Sequence, residues 1–214
     1  MRLRTYFEPL PEHYAKEHHA DVVDLWVETW TALGHDVKVL GRADAVQHPQ
    51  YRNLVDKVRT WPTINPPPYT EACFVRWCAA SVEAGDDYIA FMDYDVFPTT
   101  NLNYEVLQPA AVDYGDMPAC VSGSGHHFDR VVDAFLDFTH PKLSGHSCDQ
   151  IILRERGTMF KRNKTLRCYG VPNWRLSEMV HFANWTLSRD IPSRAGAIRS
   201  FMRNGLVDPE LCKA

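Results

Sequence analysis

The sequence predicts an α/β fold with a central, mostly parallel sheet and helices on both of its faces. The first forty residues show the pattern of strand, helix and strand, over Arg2–Glu8, Ala20–Leu33 and Val37–Leu40. A second strong helix, Tyr69–Ala84, leads into the apolar run Tyr88–Met92. Strands that alternate with helices form parallel sheets, because each helix carries the chain back to the same edge of the sheet.

The N-terminal elements follow from the spacing of apolar residues. Side chains alternate in character along Arg2–Glu8, and the prolines that follow end this strand. In Ala20–Leu33 apolar residues recur every three or four positions, which is typical of a helix packed on a core, and Gly34 ends it. Val37–Leu40 is then a short strand, and Gln50–Trp61 is expected to form a weaker helix.

The second half of the chain is less regular, and no element is predicted over residues 99–117. Further strands are expected at Ala119–Ser122, Thr165–Tyr169 and Met179–Phe182. Further helices are expected at Phe128–Phe138, Gln150–Arg156 and Arg194–Asn204. Because no linker or internal repeat interrupts the pattern, we expect residues 1–214 to form a single domain.

Charge is distributed unevenly along a chain whose formal net charge is −4. Residues 1–150 carry 11 basic and 22 acidic side chains, whereas the basic segment 151–214 carries 12 and 5. This asymmetry predicts a polyanionic partner for the basic segment, although such a segment can also cover nucleotide phosphates or face solvent. No apolar run approaches the roughly 20 residues of a membrane span, so we expect a soluble, cytoplasmic protein without a membrane partner.

The six cysteines form no CxxC pair, and most lie within apolar segments. Free buried thiols in a reducing compartment are therefore expected, rather than a disulfide framework or a zinc site.

Two carboxylates, Asp93 and Asp95, follow the apolar strand Tyr88–Met92, and Pro98 is expected to end that strand. Residues i and i+2 of a strand point to the same side, so the two acids would lie together while Tyr94 points away. Adjacent carboxylates repel unless a cation lies between them, and Mg²⁺ or Mn²⁺ suits an oxygen-lined site of this kind. The alternative is an ordinary turn, in which aspartate is common.

Other candidate residues each have a functional and a structural interpretation. Arg76 is either a solvated helix residue or a contact to a phosphate or base. The small residues Ser122–Gly125 could let a ligand approach the backbone, or form only a turn. Asp149 stands where a helix cap is expected, and His181 is either a core residue or a ligand.

Taken together, these motifs resemble those of the GT-A type of glycosyltransferase, which implies a three-layer, Rossmann-like sandwich. The resemblance implies that Asp93 and Asp95 are the DxD acids that hold Mn²⁺ or Mg²⁺ on the diphosphate of a nucleotide sugar. Asp95 would bind the metal directly, Asp93 would also lie near the ribose, and His181 would complete the metal shell.

The same resemblance implies positions for the sugar donor. Tyr6 and Glu8 would lie near the nucleoside base, with Arg76 and Tyr94 also in contact with the donor. Asp149 takes the place of an acid near the transferred sugar, although family members commonly show an acidic pair there. The glycine loop beside the donor would comprise Ser122, Gly123 and Gly125. Residues 1–98 would then form the nucleotide-binding half and residues 99–214 the acceptor-side half.

The expected activity is therefore transfer of a sugar from a nucleoside-diphosphate sugar, with UDP as the preferred nucleotide, to an acceptor hydroxyl. Asp149 as the base would make the reaction inverting, which is the course expected, whereas an Asp149 that only hydrogen-bonds the sugar would leave a retaining course open. The acceptor is either a glycan, a small molecule or a hydroxylated base in nucleic acid bound by segment 151–214. Two alternatives remain: a nucleotidyltransferase, disfavoured by the acidic Glu8–Glu12 where a basic phosphate loop is expected, and a non-catalytic nucleotide- or carbohydrate-binding module.

Overall fold

The computed structural model describes residues 1–10, 19–99, 112–113, 119–139, 147–156, 159–162, 168–170, 178–182 and 194–204. Its helices are α1 His19–Ala32, α2 Arg42–Ala45, α3 Tyr51–Val58, α4 Pro67–Ala84, α5 Gly125–Leu136, α6 Asp149–Glu155 and α7 Arg194–Asn204. Its strands are β1 Arg2–Tyr6, β2 Asp36–Leu40, β3 Ile89–Met92, β4 Val96–Pro98, β5 Val112–Asp113, β6 Cys120–Gly123, β7 Lys161–Arg162, β8 Cys168–Gly170 and β9 Met179–His181.

The central sheet has six strands in the order β2-β1-β3-β6-β5-β7. Strand β6 runs antiparallel to both of its neighbours, and the other five strands run in one direction. A second sheet, in the order β4-β9-β8, pairs β9 antiparallel to β4 and parallel to β8. The protein is therefore a mixed α/β fold with a mostly parallel central sheet, as predicted.

The two faces of the central sheet pack into two separate hydrophobic cores. In β3 the side chains of Ile89 and Phe91 join the core beneath α3, α4 and α5. The alternate side chains, Ala90 and Met92, join the core formed with α1, α7 and the second sheet. Because successive strand residues point to opposite faces, one short apolar strand contributes to both cores. Helices therefore lie on both faces of the sheet, as expected.

Most predicted elements occur in the structure within a few residues of their expected bounds. The expectation that Pro98 ends the strand begun at Tyr88 is wrong, since β3 ends at Met92 and Pro98 lies in β4. Strand β4 pairs with β9, so the apolar Val96–Pro98 is buried in a different sheet. Helix α2 and the two-residue strands β5 and β7 were not predicted, and residues 163–167, where another strand was expected to begin, lie outside the described part of the chain.

Cysteine side chains and helix lengths bear on two further expectations. No disulfide joins the described cysteines; those at positions 78, 120 and 168 are buried, as expected, whereas Cys73 and Cys148 are half-buried. Within the described residues, no helix combines the length and the apolar character that crossing a bilayer requires.

Candidate metal centre

The acid pair lies in a turn that joins the two sheets. The backbone N–H of Asp93, directly after β3, donates to the carbonyl of Ala119 at 2.8 Å. The N–H of Val96 then donates to the Asp93 carbonyl at 3.0 Å, which closes a four-residue β-turn. Asp95 also accepts a backbone hydrogen bond from Phe182 at 2.9 Å. The expected strand alternation is therefore wrong for the acids, because a turn, not the pleat of a strand, orients Asp93 and Asp95.

His181 completes a group of three side chains that could hold a metal ion. Its register opposite Val96 in the β4–β9 pair places the imidazole beside the turn. The Nε2 atom of His181 lies 3.1 Å from Oδ1 of Asp95 and 3.6 Å from Oδ2 of Asp93. One ligand atom from each residue lies within 4.8 Å of the others. The three residues predicted as metal ligands thus converge from two different sheets.

One oxygen of Asp95 gives this group a specific capacity for a cation. Among the described residues, Oδ1 of Asp95 is the one buried carboxylate oxygen without a regular hydrogen bond, and its 3.1 Å contact with Nε2 of His181 is an ion pair only while the imidazole is protonated. When His181 loses its proton, this buried and charged oxygen loses its partner, and that loss costs free energy unless a metal cation takes the place of the proton. Two carboxylate oxygens and one imidazole nitrogen are a donor set that Mn²⁺ accepts. The residues present therefore fit a divalent metal.

Two arginines contact the acids, one half-buried in α4 and one buried at the start of α7. Arg194, at the start of α7, donates to Oδ2 of Asp95 at 2.7 Å. Arg76, from α4, pairs through Nη1 with Oδ1 of Asp93. Each carboxylate therefore has one oxygen on an arginine and the other near His181, so the acids are partly neutralised by the protein itself.

Burial and charge shift the pKa values of the three candidate ligands in different directions. Burial raises the pKa of Asp93, and the positive charges of Arg76 and His181 offset this only in part. For Asp95 burial also opposes ionisation, but His181 and Arg194 outweigh it and lower its pKa. Burial disfavours the imidazolium of His181, yet the two carboxylates outweigh that effect and raise its pKa. Asp95 is therefore the more firmly ionised of the two acids.

Asp149, predicted as a catalytic base, is only 3% exposed at the start of α6. Its Oδ2 accepts hydrogen bonds from Nε and Nη2 of Arg76 at 3.1 and 2.7 Å and from Nε1 of Trp77 at 3.0 Å. Its Oδ1 accepts from the backbone N–H of Gln150 at 2.9 Å. The structure thus brings Asp149 close to the acid pair, through Arg76, but surrounds its carboxylate with donors from the protein.

Tyr6 and Glu8, predicted near a nucleoside base, lie at the edge of the sheet that carries the acid pair. Strands β1 and β3 are parallel neighbours, so both end there. The Tyr6 hydroxyl donates to Glu8 at 2.8 Å, and Arg42 donates to the other oxygen of Glu8 at 2.7 Å. The side chains of Tyr6 and Glu8 are therefore already engaged within the protein.

Tyr94, another predicted donor contact, lies in the turn between the two acids and is half-buried. Its hydroxyl is 2.8 Å from Nδ1 of His19, and its ring packs edge-on against Phe7 with a centroid distance of 5.7 Å. These contacts tie the turn to the start of α1 and to the residue after β1.

The predicted glycine loop of Ser122, Gly123 and Gly125 is not brought to the acid pair. Strand β6 is antiparallel to β3, and Gly123 lies opposite Ile89 at the start of β3. Four residues of extended chain, roughly 13 Å, separate Ile89 from Asp93. A Cβ atom on Gly125 would lie 2.7 Å from the carbonyl oxygen of Gly85, so glycine here permits close packing between α4 and α5.

The sequence interpretation did not single out Arg194, Trp77 or His19 as part of this site. A signal for Arg194 is nevertheless present, because it stands four and seven residues before the buried Ile198 and Phe201. A charged residue in register with an apolar helix face predicts a buried ion pair. Most of segment 151–214, which was expected to bind a polyanion, lies outside the described residues.

Comparison of the sequence with profiles of known protein families gives no match, and comparison with curated proteins also gives none.

Proposed function

We propose that this protein is a metal-dependent glycosyltransferase of the GT-A type, which transfers a sugar from a nucleoside-diphosphate sugar to an acceptor hydroxyl. The observation that carries the proposal is the convergence of Asp93, Asp95 and His181 around a buried carboxylate oxygen of Asp95 that has no regular hydrogen bond. The location of this group supports the proposal, since α/β proteins bind ligands beyond the carboxyl ends of their parallel strands.

The charges around the group support an anionic ligand. Asp93 and Asp95 already contact Arg76 and Arg194, so a divalent cation would add positive charge to a partly neutralised site. A diphosphate would balance that charge. A bound Mn²⁺ or Mg²⁺ supplies Lewis-acid stabilisation of the leaving nucleoside diphosphate. The protein's own part is to hold the two carboxylates and the imidazole in place and to exclude water from them.

The stereochemical course depends on which group accepts the proton of the acceptor hydroxyl. An inverting displacement through Asp149 requires one of its oxygens to reach that proton. In the structure Asp149 is 3% exposed and hydrogen-bonded to Arg76 and Trp77, so its position gives this role no support. We therefore assign Asp149 to holding Arg76, and inversion stays a prediction from the sequence alone.

The acceptor is proposed only as a class, namely a hydroxyl group on a glycan, a small molecule or a hydroxylated base in nucleic acid. The last of these depends on the basic segment 151–214. Within its described part, Arg199 and Arg203 are exposed on α7 and available to a polyanion.

The proposal is tested by thermal unfolding with nucleoside diphosphates and nucleotide sugars, each in Mn²⁺ and in EDTA. A ligand at 100 times its dissociation constant should add about 2.7 kcal/mol to the free energy of unfolding. We expect this stabilisation with a UDP compound, only with metal, and its loss in Asp95→Asn. The control is Asp133→Asn on the exposed face of α5. Equal stabilisation in EDTA would favour a non-catalytic binding module, and no stabilisation by any compound would refute the transferase.

A further inference from the structure

The two candidate metal-binding carboxylates share an arrangement that extends beyond the three candidate ligands. In Asp93, Oδ1 pairs with Arg76 while Oδ2 is the oxygen nearer to His181. In Asp95, Oδ2 pairs with Arg194 at 2.7 Å while Oδ1, which has no regular hydrogen bond, lies 3.1 Å from His181. Each arginine thus occupies one oxygen and leaves the other on the side of the imidazole.

We propose that Arg76 and Arg194 are positioning residues, which orient the two carboxylates so that each presents a single oxygen to the metal. This inference rests on the metal centre of the proposed function and not on the identity of the sugar or the acceptor. It gives Arg76 a different role from the donor contact predicted from the sequence.

Arg76 is itself held rigidly, as a positioning residue must be. Two of its nitrogens, Nε and Nη2, donate to Oδ2 of Asp149, and its guanidinium lies 5.3 Å from the centroid of the Trp77 ring. The remaining nitrogen, Nη1, contacts Asp93. The planar guanidinium is rigid, so it fixes the distance between the buried carboxylate of Asp149 and the carboxylate of Asp93, a candidate metal ligand.

Arg194 is held in a comparable way by residues from other elements. Its side chain is 2% exposed, and its guanidinium lies 5.9 Å from the centroid of the Tyr94 ring. Its Nη2 atom is 3.3 Å from Nδ1 of His19, which also contacts the Tyr94 hydroxyl. Helix α7 and helix α1 therefore both contribute to fixing the carboxylate of Asp95.

The alternative is that the arginines merely neutralise the acids, and the two roles predict opposite effects on metal affinity. A cation close to a metal site repels the metal, so removal of a purely neutralising arginine would strengthen binding. Removal of a positioning arginine lets the carboxylate rotate or bind the metal through both oxygens, which weakens a site built for one oxygen from each acid.

The experiment measures the affinity of the full chain for Mn²⁺ in the absence of nucleotide. The concentration of free Mn²⁺ is followed by its EPR signal, and the EPR spectrum of the bound ion is a second readout. Arg194→Met is compared with Arg194→Lys, which keeps the charge but loses the planar fork, and with Arg76→Lys. The matched control is Arg199→Met, an exposed position on the same helix. We expect at least tenfold weaker binding in all three site variants, an altered spectrum of bound Mn²⁺, and no change in the control.

Tighter or unchanged Mn²⁺ binding in Arg194→Met, with unchanged binding in both lysine variants, would overturn the positioning role. If Arg194→Met does not fold, the lysine variants decide the question, because they keep a cation beside each acid. Failure of the unmodified protein to bind Mn²⁺ would instead refute the metal centre of the proposed function, so the two failures are distinguishable.

Discussion

Charged side chains cluster at both ends of the parallel strands of the central sheet, but the hydrogen bonds within the two clusters differ. Near the start of β1, Glu83 accepts hydrogen bonds from Arg2 and Arg4 through one oxygen and from Lys38 through the other. At the carboxyl end of β3, Asp95 has one oxygen on Arg194 and the other 3.1 Å from His181 without a regular hydrogen bond. Both clusters contain more than one cation, and each includes a buried arginine, Arg4 in the first and Arg194 in the second.

The difference shows that clustered charge alone does not indicate a binding site. Both oxygens of Glu83 are satisfied, which is sufficient to explain that cluster as a structural one. Asp95 keeps one buried oxygen without a regular hydrogen bond, and this oxygen lies beside a second acid and the imidazole of His181. A buried acceptor that the protein leaves unsatisfied is better evidence for a ligand than the number of charges around it.

The largest expected effect concerns Asp149, the carboxylate that holds Arg76 beside the candidate metal ligands. Asp149→Ala leaves Arg76 with fewer partners and removes the acceptor of the Trp77 indole. We expect a loss of about 2–4 kcal/mol in the free energy of unfolding, measured with urea, because Arg76 keeps only Asp93 as a carboxylate partner and the buried indole N–H of Trp77 loses its acceptor. Asp133→Ala, on the exposed face of α5, should change it by less than about 0.5 kcal/mol. Similar values for both variants would show that Asp149 is not an anchor.

The second prediction concerns Gly125, which belongs to the glycine loop expected to bind the donor but lies near the start of β3, away from the acid pair. In Gly125→Ala the new Cβ would lie 2.7 and 2.9 Å from the carbonyl oxygens of Gly85 and Ser81, which are backbone atoms and cannot move alone. We expect a loss of about 2–3 kcal/mol in the free energy of unfolding, measured with urea. His126→Ala, at the exposed neighbouring position, is the control. If Gly125→Ala kept normal stability but lost nucleotide binding, Gly125 would be assigned to the donor site, as the sequence predicted.

The third and smallest effect tests the structural cluster through its pH dependence. Burial opposes ionisation of Glu83, but its bonds to Lys38 and the arginines outweigh this and lower its pKa from 4.5 to about 2. Ionised Glu83 should therefore stabilise the fold by about 2 kcal/mol above pH 4.5, after solvent screening, and this contribution should disappear as the pH falls towards 2. Urea unfolding of Glu83→Gln should differ from that of the unmodified protein at pH 7 and converge with it near pH 2.

The control for this variant is Asp87→Asn, which removes another partner of Arg2. Its carboxylate is 77% exposed, so we expect a change close to zero at every pH. A pH-independent difference for Glu83→Gln would contradict the assignment of its stabilising effect to charge.

The sequence was sufficient to predict the fold class and the three candidate metal ligands. Apolar spacing identified α1, α4 and β3, and the strand before Asp93 placed the acids at the edge of the sheet. Local patterns could not show that Val96–Pro98 belongs to a second sheet, because that depends on its pairing with Met179–His181. They also could not show that β6 runs antiparallel to β3, which places Gly123 beside the start of β3 and not beside its end, where Asp93 lies.

The environment of Asp149 could not be predicted for a related reason. Its sequence context indicates a helix start, and this is correct, since α6 begins there. Its partners Arg76 and Trp77 are more than seventy positions away in the chain, and their contact depends on how α4 packs against α6. Pairing over such distances is set by the tertiary fold and leaves no periodic pattern in one sequence.

The position of the candidate ligands between two sheets has a consequence for how the protein unfolds. Asp93 follows the central sheet, whereas His181 ends a strand of the second sheet, and much of the chain lies between them. A metal held by both would act as a reversible cross-link between two regions that could otherwise open separately. Amide hydrogen exchange in β9 would then slow together with that in β3 when metal is added, since neither sheet could open without releasing the ion.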